Sequence, residues 1–276
     1  MRHILIADCS PSAGGEAYRA LGGPSNVQMF EAGLRLHAPD LRCLGFNLAD
    51  GEALPLGMTP GDADGWVLTG SPLHVPEGGP EVERQIEFAR TLFATDRPVW
   101  GSCWGLQLAA AALGGRVRTN PRGREIGVAR GLALTEAGRG HPMLAGRPAV
   151  FEALCSHLDE VEVPPPGAEV LAGNAMSAVQ AMALRTPGGG SFHGVQYHPE
   201  MTFGCVAALM RTRAAALAAG GFGDVEAYAA DLLALEADPG RMDLAWRYGI
   251  GPEVLDRRRH TVELGNWLRE YVRPRR

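Results

Sequence analysis

Apolar and polar positions alternate along the first two hundred residues in a way that predicts strands and helices in turn. Ile4–Ala7 is a short apolar run of the kind that is buried on both faces of a sheet. The next segment, Asn26–His37, has its apolar residues at helical spacing. The alternation then continues through three further predicted strands and two further predicted helices: Leu41–Asn47, Gly65–Thr69, Glu81–Thr95, Pro98–Gly101 and Trp104–Leu113. This rhythm predicts a mostly parallel central sheet with helices on both faces.

The pattern changes after Ile126. Up to Leu184 it consists of shorter strand-like pieces, separated by turns at 138–140 and 164–167, which predict a small antiparallel ribbon at the sheet edge. A last strand is predicted at Phe192–Tyr197. Helical patterns follow at Val206–Ala219, Val225–Glu236 and Leu244–Val272, and the last of these predicts two helices.

The fold class predicted from this order is α/β, a three-layer αβα and flavodoxin-like arrangement with a C-terminal helical extension. We expect one domain over residues 1–205, followed by an extension over residues 206–276 that packs on the domain or on a partner. In such sheets functional groups gather beyond the carboxyl ends of the strands. Gly70 and Cys103 both fall at such ends.

Composition narrows the function classes. The chain has 276 residues, 46% of them hydrophobic and 21% charged, which is typical of a soluble globular protein. A formal net charge of −5 predicts no nucleic-acid partner. The densest basic run, residues 257–260, is interpreted as a solvated helix face, with a phosphate or acidic-partner patch as the alternative.

The cysteines and the apolar runs bear on location. Five widely spaced cysteines without a C-x-x-C pair favour a reducing compartment. The N-terminal apolar run is too short for a signal peptide, and no stretch approaches the roughly 20 apolar residues that span a bilayer. The sequence therefore predicts a cytoplasmic protein with no membrane partner.

The sharpest local feature is the string Gly101-Ser102-Cys103-Trp104-Gly105, where a predicted buried strand turns into a predicted helix. A nucleophile in such a turn projects above the sheet, and flanking glycines let the backbone bend tightly. The N-terminus of the following helix would favour the thiolate, the reactive form of cysteine. The alternative is that Cys103 is a small buried apolar residue, as many free cysteines are.

The second feature is the segment GVQYHPE at residues 194–200. Side chains at i and i+2 of an extended chain point the same way, so His198 and Glu200 can address one site. An imidazole can take a thiol proton and return it to a leaving amine, and a carboxylate on its other nitrogen fixes its tautomer. We predict a Cys103–His198–Glu200 triad. An isolated His-Pro-Glu string would instead indicate a surface turn.

Together these segments resemble the two signatures of the class I (triad) glutamine amidotransferases. Pro98–Ala109 resembles the nucleophile segment of that family, and His198–Glu200 resembles its second signature. Further matches occur in the family order at residues 69–72 (TGSP), 124–127 (REIG), 141–142 (HP) and 156–159 (SHLD). The resemblance covers roughly residues 1–205 and is nearest to free-standing proteins similar to the amidotransferase domain of GMP synthase.

This resemblance implies that Cys103 attacks the γ-carbonyl of glutamine, releases ammonia and forms a γ-glutamyl thioester that water cleaves. It places the oxyanion-stabilising N–H groups at Ser71 and Trp104, with Ser71 standing where glycine is usual. It also implies contacts between the glutamine or γ-glutamyl small molecule and five residues: Gly70, Gln107, Glu125, Gly127 and Val128. The alternatives are a simple tight turn at residues 69–72 and a solvated Gln107.

Three functions remain open from the sequence. The first is an amidotransferase that passes ammonia to a separate synthetase subunit, since the chain has no G-x-x-x-x-G-K-S/T phosphate loop. The second is a stand-alone hydrolase of γ-glutamyl amides or conjugates, and the third is a non-catalytic regulatory or binding paralogue. No cofactor is predicted. No metal site is predicted either, because His193 and His198 have no third ligand nearby. A homodimer is left open.

Overall fold

The computed structural model describes residues 2–272. Its strands are β1 (His3–Asp8), β2 (Arg42–Asn47), β3 (Gly65–Leu68), β4 (Pro98–Ser102), β5 (Arg116–Thr119), β6 (Glu125–Leu134), β7 (Val150–His157), β8 (Asp159–Val163), β9 (Glu169–Gly173), β10 (Ala181–Arg185) and β11 (Ser191–Val195). Its α-helices are α1 (Glu16–Ala20), α2 (Asn26–Arg35), α3 (Pro80–Phe93), α4 (Trp104–Ala112), α5 (Glu136–Gly140), α6 (Phe203–Thr212), α7 (Ala214–Ala219), α8 (Val225–Ala237), α9 (Met242–Tyr248), α10 (Pro252–Leu255), α11 (Arg257–His260) and α12 (Val262–Glu270). The last four residues of the predicted extension, 273–276, lie outside the described residues.

The central sheet has nine strands in the order β2-β1-β3-β4-β11-β10-β9-β6-β7 among the residues described. The first five are parallel to one another, and their order is that of a flavodoxin-like sheet. The remaining four strands run antiparallel, which makes the antiparallel part broader than a single ribbon. Strands β5 and β8 form a separate two-stranded sheet. The predicted αβα fold is confirmed.

The parallel strands are buried on both faces because helices cover both. Leu5 and Ala7 of β1 belong to a buried cluster with residues of α3 and α4. Ile4 and Ile6, which point the other way, belong to a cluster with Phe30 of α2. That second cluster also contains α12 residues, including Leu264 and Trp267. The last helix of the chain thus completes one of the two outer layers.

The helical extension is more broken than the sequence predicts. The Ala-rich stretch expected as one helix is divided at Arg213 into α6 and α7, and the segment expected to hold two helices holds four. Apolar residues of α6, α8 and α9 share a buried cluster with Val128 and Leu154 of the sheet. The predicted turn at residues 138–140 is the end of the short helix α5, which Thr135 caps through Gly138 N–H. Helices α6, α8 and α9 thus pack against strands β6 and β7.

Candidate active site

The pairing of β4 with β11 brings the two predicted catalytic segments together. These strands are parallel neighbours, with Gly101 opposite Gly194 and Ser102 opposite Val195. The segments that follow the two strands therefore leave the sheet side by side at its carboxyl edge. The Cys103 N–H donates to the Val195 carbonyl at 2.7 Å and ties the two exits to each other. Residues far apart in sequence meet here because the strands are adjacent.

Cys103 occupies a strained turn between β4 and α4. Its φ is +52° and its ψ is −100°, a combination that costs an L-residue energy and recurs at functional sites. The flanking glycines are sterically required. A Cβ on Gly105 would lie 2.3 Å from the Leu68 carbonyl oxygen, and one on Gly101 would lie 2.7 Å from the Gly105 carbonyl carbon. These close approaches hold the sulfur above the sheet at the N-terminus of α4.

His198 lies between the predicted nucleophile and the predicted acid. Its Nδ1–H donates to Glu200 Oε1 at 2.6 Å, which leaves Nε2 as the second ring nitrogen. Cys103 interacts electrostatically with the imidazole and contributes to its pKa, while its Sγ–H donates to the Ser156 carbonyl at 3.7 Å. All three side chains are nearly buried, with exposures of 6% for Cys103, 3% for His198 and 2% for Glu200. The structure thus brings the three predicted triad residues together.

The electrostatic balance at His198 favours the imidazolium. Burial lowers the pKa of His198, but the Glu200 carboxylate and the Cys103 side chain outweigh burial and raise this pKa to about 10. The ring is therefore charged at neutral pH.

Ser102 and Trp100 extend this group and were not identified from the sequence. Ser102 Oγ donates to the second carboxylate oxygen of Glu200 at 3.0 Å, and the Trp100 indole N–H donates to the same hydroxyl at 3.0 Å. Both side chains are completely buried. The strand alternation of β4 could have indicated that Trp100 and Ser102 share a face, but only the pairing with β11 places Glu200 on that face.

The predicted oxyanion donors are the backbone N–H groups of Trp104, which directly follows Cys103, and of Ser71. Within residues 2–272 neither the Ser71 nor the Trp104 backbone N–H donates to a protein acceptor, and both Ser71 and Cys103 line one cavity. Gly70 lies against the imidazole, since a Cβ there would be 3.0 Å from His198 Cε1. The glycine makes room for the ring, and the roles of all three remain predictions.

The cavity beside Cys103 is polar, and only one of the other predicted substrate contacts lines it. Gln107 does so, while its Nε2 donates to the Asp159 carbonyl at 2.9 Å. The Glu125 carboxylate is already engaged, accepting from His157, Asn174 and Gln180. Gly127 faces Tyr228 of α8, and Val128 lies in the apolar cluster under the extension. Neither of these two residues is among those that line the cavity.

Two arginines that the sequence did not single out also line this cavity. Arg124 precedes β6, and Arg213 stands at the break between α6 and α7. Neither guanidinium has a hydrogen-bond or ion-pair partner among the described residues, and Nη1 of Arg213 is buried. Arg124 lay inside a recognised motif, so the sequence carried a signal for it. Arg213 lay in an Ala-rich helical stretch and carried none.

The basic run at residues 257–260 is not a solvated helix face, which corrects the sequence interpretation. The Arg257 guanidinium donates to the main-chain carbonyls of residues 199–201. His260 is buried, and its Nε2–H donates to the His198 carbonyl at 3.2 Å. Burial and the nearby guanidinium of Arg257 hold the pKa of His260 well below its usual value. Only Arg258 and Arg259 face solvent.

The described part of the chain shows neither a cluster of metal-ligating side chains nor a membrane-spanning helix. Residues 2–272 contain no group of three or more His, Cys, Asp or Glu side chains that could hold a metal ion. None of the helices in the same range is both long and apolar enough to cross a membrane.

A strained cysteine at a strand–helix turn, paired with a histidine and a glutamate, defines the class of cysteine-dependent amidohydrolases. The family model "Glutamine amidotransferase class-I" matches residues 52–210. The chain belongs to the class I glutamine amidotransferase family.

Relatives of two kinds share this similarity. The chain is 34% identical to a γ-glutamyl-L-1-hydroxyisopropylamide hydrolase of a Pseudomonas species, over 98% of this chain and 93% of that protein. It is 38% identical to a glutamine-hydrolyzing GMP synthase subunit of Methanoculleus marisnigri, over 45% of this chain and 63% of that protein. A glutamine amidotransferase of Thermotoga maritima shares the fold at a TM-score of 0.66 and 15% identity, covering 96% of this chain and 98% of that one.

Proposed function

We propose that this chain hydrolyses the γ-amide of glutamine through a γ-glutamyl thioester on Cys103. The observation that carries the proposal is the position of a charged His198 between the Glu200 carboxylate and the Cys103 side chain. That arrangement supplies a nucleophile, a proton donor for the leaving amine and a group that keeps the donor charged.

In the proposed reaction, each step uses a side chain or backbone N–H group of the candidate active site. The Cys103 thiolate attacks the γ-carbonyl, and the N–H groups of Ser71 and Trp104 receive the oxyanion. Losing one such donor typically costs about 3–4 kcal/mol of barrier. Collapse expels the amine with a proton from His198. The neutral imidazole then takes a proton from water, which attacks the thioester and releases glutamate. Glu200 holds the ring in the required tautomer throughout.

The experiment is release of ammonia and glutamate from glutamine by the purified chain. Cys103→Ala should abolish release, and Cys43→Ala, a half-buried cysteine on β2 that does not line the cavity, should leave it unchanged. A chloroketone analogue of glutamine should label wild type and not Cys103→Ala. Equal release by wild type and Cys103→Ala would refute the proposal, and failure of the analogue to label would favour the non-catalytic paralogue.

A second candidate is a stand-alone hydrolase of γ-glutamyl amides other than glutamine. The supporting observation is the match to a relative named as such a hydrolase, which spans nearly the whole chain and so includes the extension. A panel of γ-glutamyl alkylamides and peptides decides between the two. Faster turnover of a conjugate than of glutamine, without any added protein, would select this candidate.

The first candidate calls for a further component. A relative named as one component of GMP synthase supports a separate synthetase as the ammonia acceptor. Glutamine hydrolysis that rises when such a synthetase is added would identify it. A homodimer and a cytoplasmic location belong to the same proposal, and five cysteines, all free among the described residues, support the second of these.

A further inference from the structure

The cavity beside Cys103 contains two cationic side chains without a carboxylate partner among the described residues. Arg124 and Arg213 both line it, and no described residue accepts a hydrogen bond from either guanidinium. Nη1 of Arg213 is buried as well as unpartnered. A buried charged donor without an acceptor is destabilising, so it is seldom retained unless a ligand completes it.

The anionic side chain of the cavity does not fill this role. Asp159 is nearly buried, and its two oxygens are engaged by Thr119 at 3.2 Å and by His74 at 2.9 Å. Neither arginine lies within ion-pair distance of Asp159 or of another carboxylate among residues 2–272. The cavity therefore offers guanidinium N–H groups to an anion that comes from outside the chain.

Arg213 lies at the break in the Ala-rich stretch, where it lines the cavity. Helix α6 ends at Thr212 and α7 begins at Ala214, so Arg213 is the residue between them rather than part of a continuous helix. Arg213 is both the C-cap of α6 and the N-cap of α7, so the opposite partial charges of the two helix ends offset one another and do not account for a cation here. A purely structural role at the helix end is the competing explanation.

The same two side chains interact electrostatically with each other and with the proposed nucleophile. Burial lowers the pKa of Arg213, the neighbouring Arg124 lowers it further, and Cys103 raises it. Burial likewise lowers the pKa of Arg124, against the opposing effects of Cys103 and Asp159. A carboxylate that lies between two neighbouring cations attracts both of them and so offsets their mutual repulsion. The cysteine that would attack the γ-carbonyl and the two arginines that would bind an anion thus line one cavity.

We infer that Arg124 and Arg213 bind the α-carboxylate of the γ-glutamyl group and so select substrates in which that carboxylate is free. The inference rests on the proposed function. Guanidinium groups suit carboxylates because two parallel N–H groups can meet two oxygens. A γ-glutamyl group attached at Cys103 carries its only negative charge at this carboxylate. Compounds blocked there, such as α-amides and α-linked peptides, are excluded.

The test measures binding, so that it does not depend on turnover. In the Cys103→Ala background, L-glutamine and L-glutaminamide differ only in the charge of the α-carboxyl group. Calorimetry should give about 10- to 100-fold tighter binding of glutamine, the range expected for charge-assisted hydrogen bonds. Adding Arg213→Gln or Arg124→Gln should reduce that preference to within about 3-fold. Arg122→Gln, an exposed arginine of the same loop as Arg124, should preserve it.

Two further arms separate the alternatives. Arg213→Lys keeps the charge without the paired N–H groups, so it should retain part of the preference, whereas a structural role would change thermal stability and leave the preference intact. γ-Glutamylglycine and γ-glutamylglycinamide differ in charge on the leaving group, and Arg213→Gln should not change their ratio of affinities.

The inference is overturned if the parent Cys103→Ala protein does not prefer glutamine over glutaminamide, or if both arginine variants keep the preference. It is also overturned if Arg213→Gln abolishes only the leaving-group preference. Because binding is measured without turnover, such a result leaves the proposed hydrolysis standing. Absence of glutamate release by wild type, both alone and with an added synthetase, would refute the hydrolysis and leave the binding result intact.

Discussion

Replacing Arg257 with glutamine should disturb the candidate active site from outside it. Arg257 belongs to the extension, lines no part of the cavity beside Cys103 and still donates to the carbonyls of residues 199, 200 and 201. These carbonyls belong to the segment that carries His198 and Glu200. One side chain outside the cavity thus hydrogen-bonds with three consecutive residues of that segment.

The expected magnitude follows from the hydrogen bonds that are lost. Charge-assisted hydrogen bonds contribute about 1.5–3 kcal/mol each. Glutamine can still serve one carbonyl, so two such bonds disappear, for a gross loss of about 3–6 kcal/mol. Arg257 is only half-buried, and water can reach part of the vacated space. A net loss of about 2–4 kcal/mol in the free energy of unfolding is therefore expected.

The assay pairs stability with activity. Urea unfolding should give the loss in stability, and kcat/KM for glutamine, measured well below the unfolding transition, should fall by about 10- to 100-fold because the imidazole is no longer held in place. Arg258→Gln removes the same charge from the exposed neighbouring position and should change neither quantity. Equal, small effects of the two variants would refute the claim that Arg257 positions the triad.

Three further outcomes test the geometry of the site. Gly70→Ala should lower kcat by about 10-fold or more with little loss of folding, because a Cβ at 3.0 Å from His198 Cε1 displaces the ring; near-normal kcat would contradict this. Ser102→Ala should lower kcat by about 10-fold and shift its pH dependence, because Glu200 loses a buried hydrogen bond of 3.0 Å; an unchanged profile would assign Ser102 to packing alone. Turnover should decline as pH rises through about 10, the raised pKa of His198, because the imidazolium that protonates the leaving amine is lost above it. Alkylation of Cys103 by iodoacetamide needs only the thiolate and should not decline there, so a parallel fall in both rates would count against His198 as the proton donor.

The parallel strands and the triad could be predicted from the sequence because local signals carry them. Strands buried on both faces appear as short apolar runs, as in Ile4–Ala7. The cysteine turn and the His-Pro-Glu string are contiguous motifs, and β4 and β11 join them through an ordinary parallel pairing. The two short motifs were therefore sufficient to predict that Cys103, His198 and Glu200 lie together.

The contributions of the extension could not be predicted, because they depend on tertiary packing. Arg213 lies in a stretch of high helix propensity, and nothing in that local pattern predicts the break between α6 and α7. Arg257 belongs to a basic run that normally indicates a solvated face. Its guanidinium instead donates to main-chain carbonyls of residues 199–201. Every residue has a main-chain carbonyl, so the sequence of this segment gives no indication that an arginine binds there.

The residues proposed to act in the site are divided between the part of the chain that matches the family and the C-terminal extension. Cys103, His198 and Glu200 all lie within residues 52–210, the part that matches the family as a whole. Arg213 and Arg257 lie outside it, in the extension. The proposed recognition of the α-carboxylate therefore depends on Arg124 inside the match and Arg213 outside it, and the proposed support of the triad depends on Arg257 alone. The GMP synthase relative matches only 45% of this chain, whereas the γ-glutamyl hydrolase matches 98%. The two kinds of relative thus differ in how much of the chain their similarity spans.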